Sequence, residues 1–227
     1  MELLGGFGAQ ILDADGAVVV DSDAAVRALT WMRDAVHESG IVPEAALTWH
    51  EEETRFAFQN GAAALMRNWP YAYALMQGAD SPVAGRFAVA PMPAAPGGEP
   101  TAALGGSQLA INARSGQQAD AWALVEFLTA PEQMLERARL IGQLPSRRST
   151  YAAEAGLAEA LGIAPAAARR IIEAAKPRPV TPVYTQLSEL LQVRLHRALS
   201  GQEEPRAALA DAAVEMRRLL DRLGLPH

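Results

Sequence analysis

The sequence contains no cysteine among its 227 residues, which excludes disulfide bonds, thiolate metal sites and a cysteine nucleophile. It also contains no apolar run long enough to span a bilayer. Clusters of lysine and arginine are absent as well, and the formal net charge is −6. A surface that neutralises phosphate groups is therefore not expected, and nucleic acid is not predicted as a partner.

The first residues lack the features of a secretion signal. Residues 1–6 read MELLGG, without the charged start and the apolar stretch that such a signal carries. Taken alone, this beginning predicts a cytoplasmic protein.

Sequence motifs for catalysis and cofactor binding are also missing. The sequence has no HExxH zinc motif, no Walker motif and no GxSxG elbow. The densest ionisable group is His50–Glu51–Glu52–Glu53, but consecutive helical residues point in different directions. An acidic first turn that complements the helix dipole is therefore favoured over a metal site. No metal, cofactor or catalytic residue is predicted, although two distant carboxylates of a glycosidase remain as the least favoured alternative.

Many helices and a few short strands are predicted. Helix caps, proline and glycine signals and 3.6-residue periodicity predict these helices: one capped at 21–23 and stopped at Gly40, then 51–59, one opening at 69–71, 117–128, 131–141, 165–175, 183–199 and 205–223. A hairpin is predicted over 10–20, with short strands at 62–66, 87–90 and 109–111. The fold class is thus a helix-rich α/β fold without regular βαβ alternation.

Candidate binding residues lie at the ends of these elements. Trp69 and Tyr71 flank a proline, Gly105 and Gly106 precede a strand, and Arg178 lies between two helices. Aromatic faces suit the apolar C–H faces of sugar rings, whereas arginine and backbone amides suit hydroxyl groups. Alternatively, Trp69 is a core residue, Tyr71 a surface residue and Arg178 the partner of a carboxylate. Composition alone favours this alternative.

The order of six short motifs resembles the family 1 extracellular solute-binding proteins, the maltose/trehalose type. These motifs are GAAALMRNW at 61–69, APMP at 90–93, GGSQLAI at 105–111, the helix pair at 121–133, GQLPSR at 142–147, and RPVTPVY at 178–184 with Ser188. Leu65 stands in place of the usual methionine, and the spacing within 121–133 is one residue shorter than in the family. The resemblance covers nearly the whole chain.

The resemblance implies the C-terminal lobe of a type II periplasmic-binding-protein fold, with the first lobe largely missing. Residues 1–100 would form the first part of that second lobe, and residues 150–227 its helical C-terminal part. Residues 101–149 would be the segment that returns to the first lobe. An exposed apolar face on this segment would then drive association, as in a homodimer.

The resemblance also implies a function, which is the binding of a di- or oligosaccharide for uptake by an ABC transporter permease. Trp69 and Tyr71 match sugar-stacking positions, Gly105, Gly106 and Ser107 match a cleft-lining loop, and Arg178 matches a hydroxyl-binding arginine. Relatives often carry an aromatic residue at position 107, so Ser107 leaves the identity of the sugar open. The implied location is extracytoplasmic, either periplasmic or membrane-anchored. A self-associating fragment without a ligand of its own is the alternative function.

Overall fold

The computed structural model describes residues 1–152, 157, 158, 161 and 163–225. The chain divides into two units, each of which is assembled from separate stretches of sequence. Unit 1 comprises Met1–Trp49, Pro91–Leu104 and Ala175–His227, and unit 2 comprises His50–Ala90 and Gly105–Ala174.

Helices make up most of the regular structure in the described residues. The α-helices are α1 (Glu2–Gly6), α2 (Asp23–His37), α3 (Glu51–Gln59), α4 (Tyr71–Met76), α5 (Gln118–Leu128), α6 (Pro131–Ile141), α7 (Pro165–Glu173), α8 (Tyr184–Leu199) and α9 (Pro205–Arg222). Short 3₁₀ turns lie at Glu44–Thr48 and Arg148–Tyr151. Strands β1 (Ala102–Ala103) and β2 (Ala175–Lys176) pair in parallel. None of the helices in these described ranges is both long and apolar enough to cross a bilayer.

The predicted helices are confirmed with small shifts at their ends, because their start and stop signals are local. The hydroxyl of Ser22 caps α2 by accepting the backbone N–H of Ala25 at 3.4 Å. Proline occupies the first turn of α6, α7 and α9, where its missing N–H leaves no helical hydrogen bond unmade. Gly142 ends α6 in the left-handed conformation, with φ of 67°.

The core of unit 1 is centred on three helices, α2, α8 and α9, which pack against one another. Leu29, Leu187, Leu209 and Met216 are among the buried side chains that these helices contribute. Burying such side chains supplies the main stabilisation of the unit.

Ion pairs join α8 to α9 beside this core. Arg194 of α8 contacts Glu203 at 3.1 Å and Glu215 at 2.6 Å. The side chains of Arg194 and Glu203 are only 18% and 11% exposed. The arginine therefore meets its carboxylate partners where the solvent screens their attraction less than at an open surface.

Unit 2 has its own, smaller core around Tyr151. The Tyr151 hydroxyl donates a hydrogen bond of 2.7 Å to the carbonyl oxygen of Pro145. Burial raises the pKa of Tyr151 to about 12. Leu157, Leu161 and Ala168 are buried around the ring, so the phenol is neutral and hydrogen-bonded within an apolar cluster.

The strands predicted at 62–66, 87–90 and 109–111 are wrong, since none of these segments is a strand. Leu65, which the sequence places in a buried strand, is 90% exposed, and Leu109 is 54% exposed. A strand needs a neighbouring strand to satisfy its backbone N–H and C=O groups, and apolar composition alone does not provide one. Within the described residues, strand pairing is limited to β1 with β2 and to one antiparallel bridge between Leu12 and Val18. That bridge lies in the predicted 10–20 hairpin.

The glycine that ends α6 provides a test of local packing. A Cβ atom at position 142 would lie 2.8 Å from the Cβ of Ala74, in addition to the strain of its positive φ. Gly85, also in unit 2, has a similar φ of 69° but no atom within 4 Å of its Cβ position. We expect Gly142→Ala to lower the free energy of unfolding by about 1 to 3 kcal/mol more than Gly85→Ala does. Urea titration of both variants measures this difference, and equal losses would show that the contact with Ala74 relaxes at no cost.

Candidate ligand-binding site

The candidate aromatic residues lie in unit 2, where an irregular segment leads into α4. Pro70 is the N-cap of α4, and its ring sets the backbone conformation needed to start the helix. Trp69 and Tyr71, on either side of it, are both partly buried. Each ring therefore has part of its surface packed and part of it open to solvent.

The first turn of α3 holds the polar groups of both aromatic side chains. The indole Nε1–H of Trp69 donates to a carboxylate oxygen of Glu51 at 3.4 Å. The Tyr71 hydroxyl donates to a carboxylate oxygen of Glu52 at 3.1 Å. Two consecutive carboxylates thus meet two aromatic side chains that are separated by one proline.

The ionisation of these groups reflects the contacts. A backbone hydrogen bond within Glu51 lowers the pKa of that carboxyl most, and the hydrogen bond from Trp69 lowers it further. The hydrogen bond from Arg55 lowers the pKa of Glu52 most, and the Tyr71 hydroxyl adds to the effect. Burial, followed by the hydrogen bond to Glu52, raises the pKa of Tyr71. Both carboxyl groups are therefore anionic acceptors, and Tyr71 is a neutral donor, at neutral pH.

The segment before Trp69 is tied to the same helix. Asn68 Nδ2 donates to the backbone carbonyl of Glu51 at 2.9 Å, and Asn68 Oδ1 accepts the backbone N–H of Trp69 at 2.7 Å. The guanidinium of Arg67 lies 4.5 Å from the centre of the Trp69 ring, within the range of a cation–π contact. Backbone and side chain of Trp69 are thus both fixed.

Gly105 belongs to the same site as Trp69. A Cβ atom at position 105 would lie 2.8 Å from Cζ3 and 2.9 Å from Cη2 of the indole, so only glycine leaves room for the ring in this place. Gly106 and Ser107, which follow, are exposed, and a Cβ atom at 106 would meet no atom within 4 Å. The structure therefore brings Gly105 against Trp69 and leaves the next two candidate residues at the surface.

Arg178 lies in unit 1, at the end of the β1–β2 ladder. Its Nη1 donates to the carbonyl oxygen of Leu104 at 3.2 Å, and the N–H of Leu104 donates to the carbonyl of Lys176 at 2.8 Å. The guanidinium is exposed, and this hydrogen bond joins it to a backbone carbonyl.

The sequence predicts an acidic first turn of α3, and Glu51, Glu52 and Glu53 all lie in that turn. The carboxylate of Glu53 also accepts the N–H of His50 at 3.0 Å in a capping box, whereas the contacts of Glu51 and Glu52 with the two aromatic side chains were not predicted. The contacts of Glu51 and Glu52 with residues 18 and 19 positions away carry no local signal. In the part of the chain that the structure describes, no group of three or more His, Asp or Glu side chains could hold a metal ion.

Comparisons with known proteins agree on one family. The family model described as bacterial extracellular solute-binding protein matches residues 4–164. A probable ABC transporter-binding protein of Deinococcus radiodurans is 34% identical over 220 residues, which are 95% of this chain and 51% of that protein.

Solved structures of binding proteins share the fold. Maltose-bound MalE3 of T. maritima matches with a TM-score of 0.91 and 39% identity, covering 96% of this chain and 56% of that one. The GacH receptor of Streptomyces glaucescens, determined unliganded and with acarbose, matches with a TM-score of 0.83 and 27% identity, covering 97% of this chain and 56% of that one. The chain therefore spans about half the length of these relatives. Its structure corresponds to that half of a helix-rich periplasmic-binding-protein fold.

Proposed function

The chain belongs to the bacterial extracellular solute-binding proteins, and we propose from this that it binds a di- or oligosaccharide for uptake by an ABC importer. The observation that carries the proposal is the pair Trp69 and Tyr71, whose polar edges are held by Glu51 and Glu52. The T. maritima relative binds maltose and the S. glaucescens receptor binds acarbose, which are both built of linked sugar-like rings.

Sugar binding would combine stacking with hydrogen bonds. The partly exposed ring faces of Trp69 and Tyr71 offer apolar surface to the C–H faces of a pyranose. Backbone groups at Gly105, Gly106 and Ser107 would meet hydroxyl groups, because exposed main-chain N–H and C=O groups are ready partners for them. From the resemblance alone, Arg178 would be a hydroxyl-binding residue.

The rest of the proposal follows from the family. Residues 1–100 and 150–227 would belong to the second lobe of a two-lobe binding protein, and residues 101–149 to the segment that returns to the first lobe. The chain would act outside the cytoplasm, either in the periplasm or anchored to the membrane, and pass its ligand to a permease without catalysing a reaction.

Calorimetric titration with maltose, trehalose and longer α-glucosides tests this function at a protein concentration where the oligomeric state is known. We expect saturable binding of at least one of these sugars, with one site per chain, because the aromatic pair lies within a single unit. If none of the sugars gives a heat of binding and the chain is a discrete dimer, the result would instead favour the second candidate function.

That second candidate is self-association without a ligand, and the surface of α5 favours it. Apolar residues fall on every face of this helix, yet none of its residues is buried. Trp122, Leu124 and Phe127 are each 56% exposed. A helix that is apolar all round is typically enclosed by other protein surface, and a second copy is the partner available to the purified chain.

A further inference from the structure

Three consecutive glutamates in the first turn of α3 have two different roles. Glu53 turns back to cap its own helix through the N–H of His50. Glu51 and Glu52 instead reach forward, one to the indole N–H of Trp69 and the other to the hydroxyl of Tyr71. A favourable charge at the helix N-terminus requires only proximity to the first turn, so it does not account for these two directed contacts.

The carboxylate of Glu52 is itself held on its other side. Arg55 Nε donates to it at 3.0 Å, and Arg55 Nη1 donates to Gln59 Oε1 at 2.6 Å. The Arg55 side chain is only 11% exposed, so this support is mostly shielded from solvent. Glu52 therefore bridges a fixed guanidinium and the Tyr71 hydroxyl.

Glu51 is fixed through its backbone. Its carbonyl accepts Asn68 Nδ2 at 2.9 Å, and the same asparagine accepts the N–H of Trp69 at 2.7 Å. Asn68 thus connects the backbones of Glu51 and Trp69, and the Glu51 carboxylate separately holds the indole N–H. A side chain that is already fixed in this way loses little further conformational freedom when a ligand covers the ring face.

We propose that Glu51 and Glu52 are positioning residues that fix the Trp69 indole and the Tyr71 phenol in the free protein, before any ligand arrives. The gain in sugar affinity rests on the proposed function. The fixing of the two rings in the free protein does not depend on it. Ordering a side chain in advance removes part of the entropy cost of binding, so we expect about a two- to tenfold gain in affinity from each carboxylate.

The ligand-free part of the proposal is tested by the indole N–H resonances of the full chain. The sequence has four tryptophans, and Trp69→Phe identifies the resonance of Trp69. We expect Glu51→Ala to move that resonance, because the indole loses its charged acceptor. Glu53→Ala, the matched control from the same turn, should leave it in place. A Trp69 resonance that is unchanged in Glu51→Ala overturns the proposal, whether or not the chain binds a sugar.

Affinity for the best α-glucoside tests the remaining part. Glu51→Ala and Glu52→Ala should each weaken binding two- to tenfold, and Glu53→Ala should not. Glu51→Gln should restore the affinity, because its amide oxygen still accepts the indole N–H. Glu51→Ala should also cost nothing further in a Trp69→Phe background, which has no N–H to hold.

Two results would contradict positioning even if the resonance moves. One is unchanged sugar affinity in Glu51→Ala and Glu52→Ala. The other is an equal loss in Glu53→Ala, which would assign the effect to the stability of α3. If the unmodified chain binds none of the sugars, the proposed function fails, and the Trp69 resonance still decides whether Glu51 holds the ring.

Discussion

Replacing Trp69 with alanine will lower the affinity for the bound α-glucoside about 10- to 100-fold, as measured by calorimetric titration. The indole is the largest flat apolar surface of the site, and it is fixed by Glu51, by Asn68 and by the close approach of Gly105. Alanine removes both the stacking face and the apolar area that the sugar would cover. It leaves the caps of α3 and α4 unchanged, because neither involves the Trp69 side chain.

Trp31→Ala is the matched control. This tryptophan lies on α2 in unit 1, is 47% exposed and packs against Phe7 with ring centres 6.4 Å apart. We expect its removal to leave sugar affinity within about twofold of the unmodified chain, since Trp31 is not among the candidate binding residues. A twofold change corresponds to only a fraction of a kcal/mol. Equal losses for Trp31→Ala and Trp69→Ala would place the effect in general stability, and no loss for Trp69→Ala would remove this ring from the sugar site.

The second large effect concerns the exposed face of α5. We expect the chain to self-associate and the double variant Trp122→Glu/Phe127→Glu to weaken that association about 10- to 100-fold. About half of each side chain is already covered in the single chain, so burying the exposed remainder contributes roughly 0.7 to 1.5 kcal/mol per residue. Sedimentation velocity over a range of protein concentrations measures the shift.

Val193→Glu is the control for added charge. Val193 lies on α8 in unit 1 and is 59% exposed, so the new carboxylate enters an exposed apolar position away from α5 in the sequence. Its association should match that of the unmodified chain. A chain that stays monomeric without any substitution, or a double variant that associates as well as the original, contradicts self-association through α5.

The helices were predictable from sequence because their signals are local. Ser22 caps α2, Pro131 lies in the first turn of α6, and Gly142 takes the left-handed conformation that ends it. The conformation of residues 109–111 was not predictable in the same way. These three consecutive apolar residues are compatible with a strand, but Leu109 is exposed and the segment is irregular, because a ladder depends on a neighbour that local sequence does not encode.

The candidate site was predictable only in part. The position of Trp69 and Tyr71 around a proline singled out both residues, and the contact of Gly105 with Trp69 gives a physical reason for a glycine there. The partners of the rings were not apparent, because Glu51 lies 18 residues before Trp69 and three adjacent glutamates look alike in sequence. Only the fold separates the one that caps the helix from the two that face the aromatic side chains.

The division of unit 1 into three stretches has a consequence for how the chain folds as it is made. Asp21, just before α2, pairs with Arg217 of α9, a separation of 196 residues. All of unit 2 lies between them in the order of synthesis, at 50–90 and 105–174. During synthesis, the apolar face of α2 therefore stays without its packing partners until α8 and α9 have left the ribosome. The sequence of unit 2 is already complete by then. Contacts this distant make α2 dependent on α9 for its burial, and contacts of long sequence separation slow folding in general.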